Sequence, residues 1–257
     1  MRHPRFSRVT AILAVAAVAV VAQSSSPRGA TAASSADGLP LTMLWAWERP
    51  EHLDFLDPAT TGVAYLNRTI TVAADSVGTH PRLQPLTVPP GTRMVAVVRI
   101  ETSTRSLWSD SLRRRLANEA LAAADGGVAA VQIDFDATVS ERSSYRRLIM
   151  DVRAALPRTV GLQITALASW CLGDPWLQDL PVDDAIPMLF RMGPDARTVA
   201  RRLVDGGDFS APMCRHSVGI STDEPLPSLP RGRRQYIFTP RPWTANAFHL
   251  IVQEPDR

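Results

Sequence analysis

The chain is 257 residues long, with 45% hydrophobic and 21% charged residues, a balance that suits a folded domain and argues against extended disorder. Its 28 Lys-plus-Arg residues are all arginine, set against 25 Asp and Glu, for a net charge of +3. Without lysine, a Walker-type phosphate loop, pyridoxal chemistry and Schiff-base aldol chemistry are excluded, because each needs that amine.

Arg2, Arg5 and Arg8 precede an uncharged apolar run from Val9 to Ala22. A basic start, a short apolar run and then small residues form the pattern of a secretory leader. The run is shorter than the roughly 20 residues that span a bilayer. Residues 1–36 are therefore expected to be a signal peptide and linker, cleaved after Ala22 or Ala32. An uncleaved membrane anchor is the alternative. Removing this segment takes away four Arg and no acid, and leaves 24 Arg against 25 acids, a balance of −1. The basic character thus belongs to the leader, and no nucleic-acid surface is implied. The expected location is secreted or periplasmic. In such an oxidising compartment Cys171 and Cys214 can pair as a disulfide, with two buried free thiols as the alternative. Two cysteines so far apart do not make a bundled zinc site.

Residues 37–257 are expected to form a single domain. Eight short apolar runs bounded by turn residues read as buried strands: 41–45, 62–66, 93–100, 128–135, 160–167, 186–190, 217–221 and 235–239. Helical spacing of apolar residues marks 109–124, where Ser109 or Asp110 can cap the start and Gly126–Gly127 end it. The same spacing marks 144–156, stopped by Pro157, and 195–204, opened by Pro194. Strand–helix alternation implies a parallel sheet under helices, and eight strands suit a (β/α)8 barrel of the TIM type. Two features make it irregular. Thr69–Ala73 and Leu83–Val88 are strand-like with no helix between barrel strands two and three, so a β-hairpin excursion is expected there. Pro187 inside the sixth strand predicts that this strand is demoted or starts at Met188.

Polar residues gather at the strand ends. Asp134 and Asp136 close the fourth apolar strand and, being two apart, share a face. Trp45, Trp47 and Glu48 follow the first strand, Glu101 the third, Trp170 the fifth, Arg191 the sixth, Asp223 and Glu224 the seventh, and Trp243 the eighth. In a TIM barrel these ends carry the active site. Trp rings stack on sugars and carboxylates act as acid, base or nucleophile, so the set points to a carbohydrate. No G-x-S-x-G setting surrounds Ser169 or Ser221. A divalent cation on Asp134 and Asp136 is a further option, since hard cations take oxygen ligands.

Five motifs, VQIDFDAT (131–138), ITALASWC (164–171), IPMLFRMG (186–193), VGISTDEP (218–225) and FTPRPW (238–243), resemble the bacterial secreted domain-of-unknown-function family number 3142. The resemblance covers residues 41–245 and implies a barrel related to glycoside hydrolases. The IDFD segment is also similar to the D-x-x-D-x-D-x-E motif of family 18 glycoside hydrolases. Asp134 and Asp136 match its second and third acids. Val131 replaces the first, and Thr138 stands where the catalytic Glu belongs, so that family's acid does not carry over.

Three readings result. The first is a secreted glycoside-hydrolase-like protein acting on a polysaccharide or cell-surface glycan. Asp136 and Asp134 would be its catalytic carboxylates, with Glu101 or Glu224 opposing. Trp45, Trp47, Glu48, Trp170, Arg191, Asp223 and Trp243 would bind the substrate. The second is a glycan-binding barrel that has lost its acid, and the third is a metal-dependent enzyme. The first two need a carbohydrate and no cofactor. Neither involves nucleic acid, or a membrane once the leader is removed, and both suit a monomer.

Overall fold

Side chains alternate between two faces along every strand, and here both faces are largely apolar, so the sheet must be covered on both sides. The structure, a computed structural model, describes Met1 and residues 38–74, 76–103, 108–204, 207–225 and 231–252. Apart from Met1, the expected leader and both cleavage points lie outside the described residues. The described residues from 38 onward belong to one unit, Ala33–Arg257.

Eight strands run parallel: β1 (Thr42–Ala46), β3 (Thr61–Ala73), β6 (Met94–Thr102), β7 (Ala130–Asp134), β8 (Gly161–Leu167), β9 (Asp184–Met188), β10 (Ser217–Ser221) and β11 (Arg234–Phe238). Each pairs with the next, and β11 and β3 both flank β1, which closes the barrel. Met43, Trp45, Ala64, Leu66, Val95, Val97, Ala130, Ile186 and Tyr236 pack inside it. The alternate residues, such as Leu44, Val63, Ala96, Val98, Val131 and Ile133, face an outer layer. Helices α1 (Asp110–Ala122), α2 (Arg142–Ala155), α3 (Ala196–Val204) and α4 (Ala245–Val252) follow β6, β7, β9 and β11. The Ser109 side chain caps α1 by accepting from the Leu112 N–H.

All eight expected strands are present, and the irregularity falls where it was expected. Past a register shift between Leu66 and Arg68, β3 continues to Ala73 and pairs antiparallel with β4 (Ser76–Pro81). The second expected piece plays another part. Within Leu83–Val88, the short strand β5 (Leu86–Thr87) pairs in parallel with β2 (Glu51–His52), away from the hairpin. Pro187 does not move the start of its strand, since β9 begins at Asp184 and Ala166 and Pro187 are register partners. On its other side β9 meets β10 at a single register position, Gly219 with Met188. A residue without an N–H costs little beside so short a ladder.

Between β8 and β9 the described chain makes only two 3-10 turns, Trp170–Leu172 and Pro175–Leu177. The buried Cys171–Cys214 disulfide ties this helix-free crossing to the turn before β10. Among the described residues no helix is long and apolar enough to cross a membrane.

Candidate active site

The strand ends of the barrel surround a cavity of about 330 Å³. Period-two alternation sends Gln132, Asp134 and Asp136 of the β7 segment inward, and all three line it. Asp134 is nearly buried. It accepts from the Thr165 hydroxyl at 2.7 Å and lies 3.4 Å from the Arg99 guanidinium. Burial pushes its carboxyl above the ordinary carboxylate range, against the Thr165 hydrogen bond and the Arg99 charge. Asp136 stands one step higher and is open to the cavity. Its carboxyl is also raised, first by loss of water against the cavity wall and then by the neighbouring Asp134 charge.

Four aromatic rings form the opposite wall. Trp45 meets Phe190 edge-on at 6.2 Å, Phe190 stacks on Phe238 at 5.7 Å with 3° between planes, and Trp47 meets Phe238 edge-on at 6.1 Å. Arg99 lies 5.6 Å over Trp47 and Arg191 lies 5.2 Å over Phe238, both cation–π distances. Asp195, in the turn before α3, brings a third carboxylate to the cavity.

The wall is held from behind. The Trp45 indole N–H donates to Gln132 at 2.9 Å, Gln132 to Gln163 at 3.2 Å, and Tyr236 to Gln163 at 2.9 Å. Trp45 fits because its neighbour is glycine: a Cβ at Gly219 would stand 2.8 Å from its ring. Arg82, from the hairpin excursion, donates to the carbonyls of Ala46, Trp47 and Arg49 and fixes the turn that carries Trp47.

Of the expected site residues, Asp134, Asp136, Trp45, Trp47 and Arg191 line the cavity, and the others do not. Trp170 is 2% exposed and packs edge-on against Trp176 at 4.8 Å, so it belongs to the outer core. Trp243 is 4% exposed; its backbone N–H donates to Glu51 and its indole N–H to the Trp45 carbonyl, so it supports the wall from outside. Glu101 pairs with Arg99 at 2.7 Å. Both carboxylate oxygens of Glu224 accept from the Arg191 backbone N–H. Asp223 accepts from Ser221, and Glu48 points to solvent. Neither Glu101 nor Glu224 opposes Asp136 across the cavity.

Sequence reasoning missed Arg99, Thr165, Phe190, Phe238 and Asp195. For Arg99 and Thr165 a signal existed, since a polar residue at an inward position of an apolar strand needs a partner. The two Phe residues looked like ordinary strand ends, and Asp195 like a helix opening. Thr138 gives the clearest departure from a hydrolase motif. Its hydroxyl and backbone N–H both donate to Glu141, at 2.6 and 2.9 Å, so this acid folds back into a capping turn before α2. Among the described residues no three His, Cys, Asp or Glu side chains gather as a metal-binding group.

No known family model matches the chain, and a search of curated proteins finds no match. Solved structures do resemble it. One is a candidate Chitinase A from Streptomyces coelicolor, at 12% identity and a TM-score of 0.51, covering 82% of this chain and 94% of that one. Another is the Bacillus cereus spore cortex-lytic enzyme SleL, at 14% identity and a TM-score of 0.45, covering 70% of this chain and 51% of the other. This chain therefore spans about half the length of the SleL structure. The fold is a (β/α)8 barrel of the TIM type, similar to that of the Streptomyces structure.

Proposed function

We propose that this chain is a secreted glycan hydrolase, with Asp136 as general acid and Asp195 as the opposing carboxylate. The observation that carries the reading is the floor of the cavity. There a solvent-open carboxyl, raised above its ordinary range, sits beside a buried one and faces a wall of four aromatic rings. A general acid needs its pKa moved up toward the working pH, and partial dehydration beside a like charge shifts Asp136 in that direction. Asp134, tied to Thr165 and Arg99, orients the pair, and its charge favours the protonated form of its neighbour. The aromatic wall supplies faces for sugar rings. The motif resemblance to family 3142, the leader at 1–36 followed by one domain over 37–257, a location outside the cytoplasm and a monomeric state belong to the same proposal. The disulfide supports that location.

A second reading, a binding barrel without turnover, is favoured by one observation. Thr138 occupies the place of the family 18 acid, and Glu141 is spent on capping it. A polysaccharide panel separates the two when reducing-end release is measured beside binding on a glycan array. Release that disappears in Asp136→Asn supports hydrolysis. Retention on the array without release by the wild type selects the binding barrel. The metal-dependent reading is weakened by the guanidinium already set against Asp134.

A further inference from the structure

Among the described residues two cations line the cavity, Arg99 and Arg191, and they are placed very differently. Arg99 lies between Glu101 at 2.7 Å and Asp134 at 3.4 Å, so its charge is matched within the protein. Arg191 is not matched in this way. Among the described residues the carboxylate oxygen nearest its guanidinium, on Asp223, is 3.9 Å away, beyond hydrogen-bond range, and that carboxylate is turned toward Ser221. Among the described residues none accepts a hydrogen bond from the Arg191 guanidinium, and its side chain is 58% exposed.

The backbone that presents Arg191 is built with care. Its φ of +52° is left-handed, a region that residues with a Cβ rarely occupy. The strain is held by the Arg191 backbone N–H, which donates to both oxygens of Glu224 at 3.0 and 3.1 Å and so ties the turn after β9 to the turn after β10. Strained backbone of this kind persists where the surroundings fix it, and it clusters at ligand clamps. The guanidinium then lies over Phe238, at the end of the Phe190–Phe238 stack. A sugar ring resting on that stack would place its substituents against the free N–H fork. A planar fork with unused donors matches a planar carboxylate in bidentate fashion.

We propose that Arg191 is a subsite for a sugar carboxylate, so that the glycan taken by this cavity is acidic, with its charged unit on the β9–β10 side. The inference rests on the glycan reading above and narrows it. Asp134 and Asp136 project from β7, two strands away from β9, so an acidic unit held by Arg191 sits across β8 from them.

The test uses an array of matched oligosaccharides, each uronate-bearing member beside its own methyl ester, with neutral glycans as a third set. Wild type and Arg191→Gln are compared after their melting temperatures have been shown to agree. The expected result is that wild type retains acidic members over their esters by about tenfold or more, that Arg191→Gln abolishes this preference, and that Arg191→Lys restores part of it. Should wild type retain esters or neutral glycans as well as acids, or should Arg191→Gln keep the preference, the carboxylate subsite falls while the glycan reading stands. If wild type neither retains nor cleaves any member of the three sets, the glycan reading itself fails and takes the subsite with it.

Discussion

Asp134 at the upper end of β7 and Asp184 at the lower end of β9 are both buried acids inside the barrel, and burial pushes both carboxyls up. Their surroundings differ. Asp184 is 2% exposed and sealed between Ser217, which donates to it, and Arg234 at 3.6 Å, with both partners at the lower ends of their own strands. Asp134 looks up into open space, and one step above it Asp136 meets solvent directly. The contrast shows that a raised carboxyl does not by itself mark a functional site. Burial raises both groups, and only access to a ligand separates chemistry from structure.

The largest expected effect breaks the upper end. Asp136→Asn should lower glycan-hydrolysis kcat/KM by about 100- to 10,000-fold, the range for losing a general acid, with Tm nearly unchanged because the side chain is exposed. In the wild type, activity should fall as pH rises through the raised Asp136 carboxyl, since an acid that has lost its proton cannot donate it. Retained activity in the variant would remove Asp136 from the mechanism.

Next in size is the disulfide. Closing a loop of sequence separation 43 is worth about 4 kcal/mol in the chain-entropy account. Replacing Cys171 and Cys214 together by Ala should lower urea-unfolding stability by that order, and a loss under about 1 kcal/mol would show that the helix-free β8–β9 crossing holds without its bridge.

The lower end gives a stability signature instead of an activity one. The Asp184 carboxyl is raised from 3.8 to about 6. The folded state therefore binds its proton more tightly than the unfolded chain, and the stability this contributes is lost as pH rises from about 4 to about 6. At 1.36 kcal/mol per unit, the shift amounts to about 3 kcal/mol. The stability difference between wild type and Asp184→Asn should change by that order across this window, in the direction of the wild type weakening with rising pH. Hydrolysis per folded molecule should not change. A flat difference would show that Ser217 and Arg234 fully offset the burial.

The smallest effect sharpens the boundary between the two ends. Gly219→Ala forces a Cβ to within 2.8 Å of the Trp45 ring, an overpacking that should cost about 1–3 kcal/mol. Intrinsic fluorescence should shift as Trp45 is displaced toward the cavity. Unchanged fluorescence and stability would show that the wall can yield.

Much of this fold was legible in the sequence because its information is local. Eight apolar, β-branched runs, bounded by turns, give eight strands, and the same alternation puts Asp134 and Asp136 on one inward face. The cavity was less legible, because its membership depends on neighbours that are distant in sequence. Trp170 and Trp243 stand at strand ends like Trp45 and Trp47, but the first packs on Trp176 and the second hangs from Glu51. Glu101 and Glu224 are drawn off by Arg99 and by the Arg191 backbone. Phe190 and Phe238 become a stacked wall only when β9 and β11 come round the barrel together. Helix α4, with its short apolar stretch after Trp243, gave too weak a periodic signal to be expected.

We propose the cavity above Asp134 as a glycan site, with Asp136 at the bond to be cleaved. A crystal structure of Asp136→Asn soaked with an oligosaccharide retained on the array tests it most directly. A sugar is expected against the Trp45–Phe190–Phe238–Trp47 wall, with a glycosidic oxygen about 3 Å from the side chain at 136. Sugar bound elsewhere, or seated in the cavity with no glycosidic oxygen near that side chain, would contradict it.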